Sequence, residues 1–209
     1  RGLTPTSTQW FEWGKKDFSG TINNLYEADS KVIIYVGNPV EATKIIEQIS
    51  LKQTPLPIIS HWGITGGYFP QLAGNALNKV DLRVLQTFSF IDNNNAKVLR
   101  FVEKYKARYS ITKTAQIVAP VGTAHAYDLM HLLAKAIKKA GSTAADDVRQ
   151  ALETLEYHSG LVKEYAPPFT PQNHDALNKN DFIMTHYEGN HLVPLTSKAA
   201  NKAGIAKHK

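Results

Sequence analysis

Residues 31–41, KVIIYVGNPVE, constrain the fold of this chain more than any other stretch. The run 32–36 is β-branched or aromatic at every position and stops at Gly37-Asn38-Pro39. A helical pattern starts there at once. Pro39 suits a first helical turn, and Ala42, Ile45, Ile46 and Ile49 recur at helical spacing. Residues 57–68, PIISHWGITGGY, repeat the move: a short apolar run ends in an aromatic, Gly-rich loop that opens another helix. Two such switches place two loops side by side at the carboxyl ends of neighbouring parallel strands. Open α/β sheets hold small ligands at that edge.

The rest of the chain fits the same class. Residues 6–13, TSTQWFEW, alternate aromatic positions and predict a strand. A helix follows over about residues 18–28, with Ile22, Leu25 and Tyr26 on one stripe. The run 32–36 predicts a parallel strand buried on both faces. Residues 56–59 and 82–90 predict further strands, and 68–77 a short helix. Residues 96–109 set Val98, Phe101, Val102 and Tyr105 against Lys and Arg, an amphipathic helix. Over 123–140 the predicted buried stripe is Ala126, Leu129, Met130, Leu133, Ala134 and Ile137, with Gly141 as the stop. Another helix is expected over 144–155, capped by Ser142 or Thr143. Beyond Gly160 the chain turns irregular, and residues 181–187 and 191–195 flank Glu188-Gly189-Asn190 as a hairpin. The predicted class is α/β, parallel sheets flanked by helices with a C-terminal β-hairpin.

Composition excludes several functions. Zero cysteines remove disulfides, thiol catalysis and Cys-ligated zinc. No apolar run approaches the roughly 18 residues of a membrane-spanning helix. The chain begins at Arg1 without Met or the apolar core of a signal peptide, as expected of a processed or excised form. A net charge of +6 is scattered: Lys135, Lys138 and Lys139 sit on a predicted helix, and Lys202, Lys207 and Lys209 in a tail. No stripe interleaves basic residues with stacking aromatics, so no nucleic-acid partner is expected. His125 and His131 are six apart and face different ways on a helix, so no metal site is expected. Ser60-His61 lacks a nucleophile elbow, and GITGG lacks the phosphate-loop spacing, so neither an enzyme nor a cofactor is expected.

With the elements in order, the sequence resembles the type I periplasmic binding proteins, nearest the solute-binding components of branched-chain amino-acid-type ABC transporters. The resemblance runs through DFSGTINNLYEADSKVIIYVGNPVEATKIIEQ (17–48), QTFSF (86–90) with FVEKYKARY (101–109), AHAYDLMHLLAKAIKKAGSTAADDVRQALE (124–153) and MTHYEGNHLVPL (184–195). It implies parts of two lobes: residues 1–83 from the second lobe, 84–173 from the carboxyl-terminal part of the first, 174–197 returning to the second through the hairpin, and 198–209 a disordered tail. It also implies hinges near residues 84–87 and 172–175, and a missing amino-terminal half of the same protein. The expected activity is non-catalytic capture of a small organic solute outside the cytoplasmic membrane, with an ABC permease as partner. An extracytoplasmic sensing domain is the alternative.

Five residues are candidates for the solute site: Asn38, His61, Trp62, Gly63 and Thr65. The resemblance places Asn38 in a loop whose side chain reaches the ligand, although Asn before Pro is also an ordinary turn residue. Trp62 stands where amino-acid-binding members carry an acid for the ligand's ammonium. An indole would instead stack on an aromatic or aliphatic acid or meet a quaternary ammonium, or else pack the interior. His61 and Thr65 flank it, and Gly63 lets the loop turn tightly. Tyr35 and Tyr68 are further candidates for the wall, with core packing the alternative.

Overall fold

A computed structural model describes Gly2 and residues 4–195 of the chain, so the tail expected over 198–209 lies outside the described residues. The chain forms two units, one of residues up to 86 and from 183 onward, the other of residues 87–182. The first unit opens with α1 (Ser19–Glu27), β1 (Ile33–Tyr35), α2 (Pro39–Ile49), β2 (Ile58–His61), α3 (Phe69–Ala73) and β3 (Leu82–Gln86). The second holds α4 (Ala96–Tyr109), α5 (Pro120–Ala140), α6 (Ala145–Glu153), β4 (His158–Ser159) and β5 (Glu164–Tyr165). The return adds β6 (Ile183–Glu188) and β7 (His191–Pro194) to the first.

The first unit's sheet has the order β1-β2-β3-β6-β7, with β1, β2 and β3 parallel and β6 and β7 antiparallel. The predicted hairpin is present, and Gly189 takes the φ of +59° that its tight turn requires. Ile33, Tyr35, Ile58, Leu82 and Val84 bury one face of the sheet against Phe18, Ile22, Ile45, Ile46, Ile49, Ile64 and Phe69. Ile46 and Ile49 of α2 are fully enclosed. Each such burial contributes about 2 kcal/mol. The helical spacing after Pro39 therefore fixes how α2 lies on the strands.

Two expectations fail here. Residues 6–13 form no strand; Trp10 and Trp13 stand in solvent, Phe11 stacks on Tyr35 at 6.1 Å and lies edge-on to Phe18 at 5.3 Å, and Thr6 and Gln9 reach Ser30 and Asn24 through side-chain hydrogen bonds. Aromatic alternation supplies a face, but a strand also needs a ladder partner. Nor is β1 buried on both faces: Ile33 and Tyr35 are inside, whereas Val32, Ile34 and Val36 are 43%, 77% and 71% exposed. The apolar core of this unit lies on one side of β1 only.

The second unit packs Phe88, Phe90, Val98, Val102, Ile117, Ala124 and Leu161 into its own core. Helix α4 has the predicted bounds and stripe, capped by Asn95, whose side chain accepts from the Lys97 amide at 2.8 Å. Ser142 accepts from the Ala144 amide just ahead of α6, whose N-cap is Ala144. The buried side of α5 is not the predicted one. Val121, Ala124, Asp128, Leu132 and Ala136 face inward, whereas Leu129, Met130 and Leu133 are exposed.

Asp128 explains the choice of face. Its buried carboxylate accepts from the amides of Leu161 at 2.5 Å and Val162 at 2.9 Å and from the Tyr165 hydroxyl at 3.0 Å. A carboxylate so bonded organises the β4–β5 ribbon and cannot be turned to solvent without leaving those donors unmatched. Gly160 completes the fit, since a Cβ there would lie 2.3 Å from Asp128 Oδ2. Burial, then Asp128, pushes the Tyr165 phenol upward.

His158 is buried beside this network, its ring 6.0 Å from Tyr165 and 6.5 Å from His131, and neither ring nitrogen has a hydrogen-bond partner among the described residues. Burial first, and then Lys135, holds its pKa below the usual 6.5. Burial also lowers His125, with Asp128 opposing. The unfolded chain therefore binds more protons than the folded chain once pH drops below about 6.5, and stability must fall with it. Urea unfolding of this helical unit, followed by circular dichroism at about pH 7.5 and about pH 5.5, should show a lower midpoint in acid. His158→Phe should shrink that difference; an unchanged difference would remove His158 as its source.

Candidate functional site

The carboxyl edge of β1 and β2 is shaped by Tyr35. Its hydroxyl donates to the Asn38 carbonyl at 3.0 Å, passing beneath the loop, and a Cβ on Gly37 would lie 2.3 Å from that hydroxyl. Only glycine fits the chain so closely over the phenol. Asn38 is then the extended N-cap of α2, at φ −98° and ψ 170°, the region to which a following proline drives its predecessor. Its carbonyl also accepts the Ala42 amide at 3.1 Å, and its exposed side chain makes no capping bond. Glu41, in the first turn, is buried and accepts from the Gly14 amide at 2.8 Å. Burial, reinforced by Glu41, raises the Tyr35 phenol pKa.

The second loop is tied to the first. Tyr35 pairs with Ser60 in the parallel register, and the Ser60 hydroxyl donates to the Tyr35 carbonyl at 3.0 Å. His61 caps the 3₁₀ turn Trp62–Thr65: its Nδ1 accepts from the Gly63 amide at 2.9 Å. Thr65 closes the turn by donating to the Trp62 carbonyl at 2.7 Å, while Ile64 is buried beneath it. The indole of Trp62 is 39% exposed and lies edge-on to His61 at 5.8 Å. A Cβ on Gly66 would reach Pro39 Cγ at 3.8 Å, so the two loops adjoin.

All five candidates thus lie on one sheet edge, in two adjoining loops, but they do different things there. Asn38 and Trp62 present side chains to solvent. The amide of Gly63 and the hydroxyl proton of Thr65 are engaged within the turn. Gly63 is needed for space, because a Cβ would lie 2.2 Å from His61 Cε1. Tyr68 is exposed at the end of the loop.

Sequence reasoning missed Gln86. It ends β3, next to β2 in the sheet, is 1% exposed, and neither of its amide atoms has a hydrogen-bond partner among the described residues. The signal was present in LRVLQ: strand alternation puts Gln86 on the face of Leu82 and Val84, where the pattern asks for an apolar residue. In the second unit, a cavity of about 600 Å³ lies against α5, lined by Leu129, Phe169, Phe182, His125, His174 and Lys179 among others. There the Thr87 hydroxyl and His125 Nε2 are hydrogen-bonded at 2.8 Å.

Comparison with known proteins points one way. A profile of the periplasmic binding protein family matches residues 2–191. A Leu/Ile/Val-binding protein homologue of Brucella suis is 29% identical over 152 residues, which cover 73% of this chain and 38% of that protein. Among solved structures, a type 1 periplasmic binding protein of Bordetella pertussis superposes with a TM-score of 0.78 at 19% identity, covering 93% of this chain and 53% of its own. A leucine-binding protein of Thermotoga maritima gives 0.73 at 19% identity, covering 89% and 49%. The chain thus spans well under half of the curated relative and about half of the structural neighbours.

Gly37→Ala and Gly63→Ala each force a Cβ into a fixed side chain, and each should destabilise the first unit by about 1–3 kcal/mol. All three tryptophans, Trp10, Trp13 and Trp62, lie in this unit, so urea unfolding followed by their fluorescence reports it. Losses under about 0.5 kcal/mol, the ordinary range of a surface change, would show that Tyr35 and His61 can move aside.

Proposed function

The chain belongs to the periplasmic binding protein family, and from that premise we propose that it is part of an extracytoplasmic solute-binding component of an ABC importer. It captures a small organic solute reversibly and without catalysis. The observation that carries this reading is the pair of adjoining loops at the carboxyl ends of β1 and β2, which present Asn38 and Trp62 at one edge. The Asn38 amide, not used in capping, hydrogen-bonds a polar group of the solute. Trp62 supplies an aromatic surface for its apolar part. An indole cannot neutralise an ammonium as a carboxylate would. The reading therefore favours an aromatic or aliphatic carboxylate, and the leucine, isoleucine and valine named for the Brucella relative are not carried over as best ligands.

The opposite wall belongs to further polypeptide of the same protein, its amino-terminal half. Uncovered apolar surfaces support this. Parallel strands are normally covered on both faces, yet Val32, Ile34 and Val36 of the first unit are bare. In the second unit the face of α5 carrying Leu129, Met130 and Leu133 is bare as well. That is the most apolar side of the helix, and it borders the 600 Å³ cavity. Amino-terminal segments packed on these surfaces would bury them, and the relatives have the length to supply such segments.

A thermal-shift screen of the full-length protein against aromatic acids, aliphatic acids, amino acids and quaternary amines tests the proposal. At least one acid should stabilise it, with free leucine and valine poor. Trp62→Ala should weaken the best ligand by about tenfold, or about 1.4 kcal/mol, with its fold retained. Equal affinity of the variant by calorimetry would take Trp62 out of the site, and binding of equal strength by this chain alone would refute the need for the amino-terminal half.

A further inference from the structure

We propose that His61 donates a hydrogen bond from Nε2 to the solute, so that the group held at the β2 loop is a hydrogen-bond acceptor, a carboxylate or carbonyl oxygen, and not an ammonium. This deepens the solute-binding reading and rests on it. Four observations place the donor. First, Nδ1 accepts from the Gly63 amide at 2.9 Å. A ring nitrogen that accepts carries no proton, so the neutral imidazole must carry its proton on Nε2. Second, that Nε2 is buried and has no acceptor among the described residues. Third, the ring is packed within its own loop: it lies so close to Gly63 that a Cβ there would be 2.2 Å from Cε1, and Trp62 stands edge-on at 5.8 Å. Fourth, His61 ends β2 at the carboxyl edge of the sheet, where the Asn38 loop adjoins, directly before the turn that leads to Gly66 and Gly67.

The consequence is a polarity for the site. A buried N–H without an acceptor disfavours the ligand-free state, and an incoming oxygen that meets it recovers the lost bond. An ammonium has only donors and would face a donor. The loop that carries the indole thus selects the oxygen-bearing end of the solute, with the apolar part against Trp62 and the Asn38 amide free to take either a donor or an acceptor.

The test uses the full-length protein labelled with ¹⁵N-histidine. Long-range ¹H–¹⁵N correlation should show His61 as the Nε2–H tautomer, and benzoate or 4-methylvalerate should shift that Nε2–H resonance. The Nδ1–H tautomer would overturn the proposal whatever binds. In parallel, benzoate and 4-methylvalerate should stabilise the protein where benzylamine and isopentylamine do not. His61→Asn removes the Nε2 donor yet keeps an oxygen able to cap the Gly63 amide. It should retain the unfolding midpoint and lose about tenfold in acid affinity. Preferential binding of the amines, or full acid affinity in the variant, would sink the His61 assignment and leave solute binding intact. Stabilisation by no member of this or the wider panel would instead sink the solute-binding reading, and this inference with it.

Discussion

Tyr35 is the side chain on which the candidate edge depends. Its ring closes the core beneath β1 and stacks on Phe11, which packs the amino-terminal segment against the first unit's core. Its hydroxyl holds the Asn38 carbonyl, and its own carbonyl receives the Ser60 hydroxyl from β2. One residue therefore sets the height of the first loop above the sheet and fastens the second strand beside it. Burial of the phenol stops it from ionising, so the bond to Asn38 persists across ordinary pH. Gly37 follows from the same geometry, since anything larger would strike the hydroxyl.

Asp128 is the counterpart in the second unit: a buried polar group that fixes a turn by accepting from it. It also decides which face of α5 looks inward. Apolar periodicity ranks faces by hydrophobicity alone, and by that measure Leu129, Met130 and Leu133 should be inside. A carboxylate already holding two amides and a phenol outweighs the difference, because each donor left unmatched costs about 1–3 kcal/mol, and a half-buried leucine returns less than the 1.5–3 kcal/mol of a full burial. The pattern was legible; the polar network that overrode it was not, because it joins α5 to residues more than thirty positions away.

The same division runs through the rest of the chain. Helices α2 and α4 and the terminal hairpin could be read because their signals are local: Pro39 at a first turn, the stripe of Val98, Phe101, Val102 and Tyr105, Gly189 in a tight turn. Residues 6–13 could not, because alternation is local while strand pairing is not. At the site, the positions of Asn38 and Trp62 followed from two strand-to-helix switches. The engagement of the Gly63 amide and the Thr65 hydroxyl within their own turn is a matter of ångströms that spacing does not encode. Gln86 is the instructive miss. A lone glutamine at the end of an apolar alternation is easily taken for the start of a loop, and only its burial reveals that it faces inward with nothing to bond.

Orphaned polar groups and uncovered apolar faces are the two kinds of deficit that the proposed function answers. A self-sufficient domain matches its buried donors and hides its strongest apolar stripe. Here β1 exposes every second apolar side chain, α5 exposes its richest face, and His61 and Gln86 end adjacent strands with polar atoms unmatched. The two kinds of deficit call for different partners. Apolar faces are satisfied by packed polypeptide, whose side chains can fill them at core density. In the proposed site, the N–H of His61 beside an indole, at an edge built of adjoining loops, would be satisfied by a single oxygen on a small apolar body. On the proposed reading, the chemistry of the deficits separates surfaces suited to further chain from an edge suited to a solute.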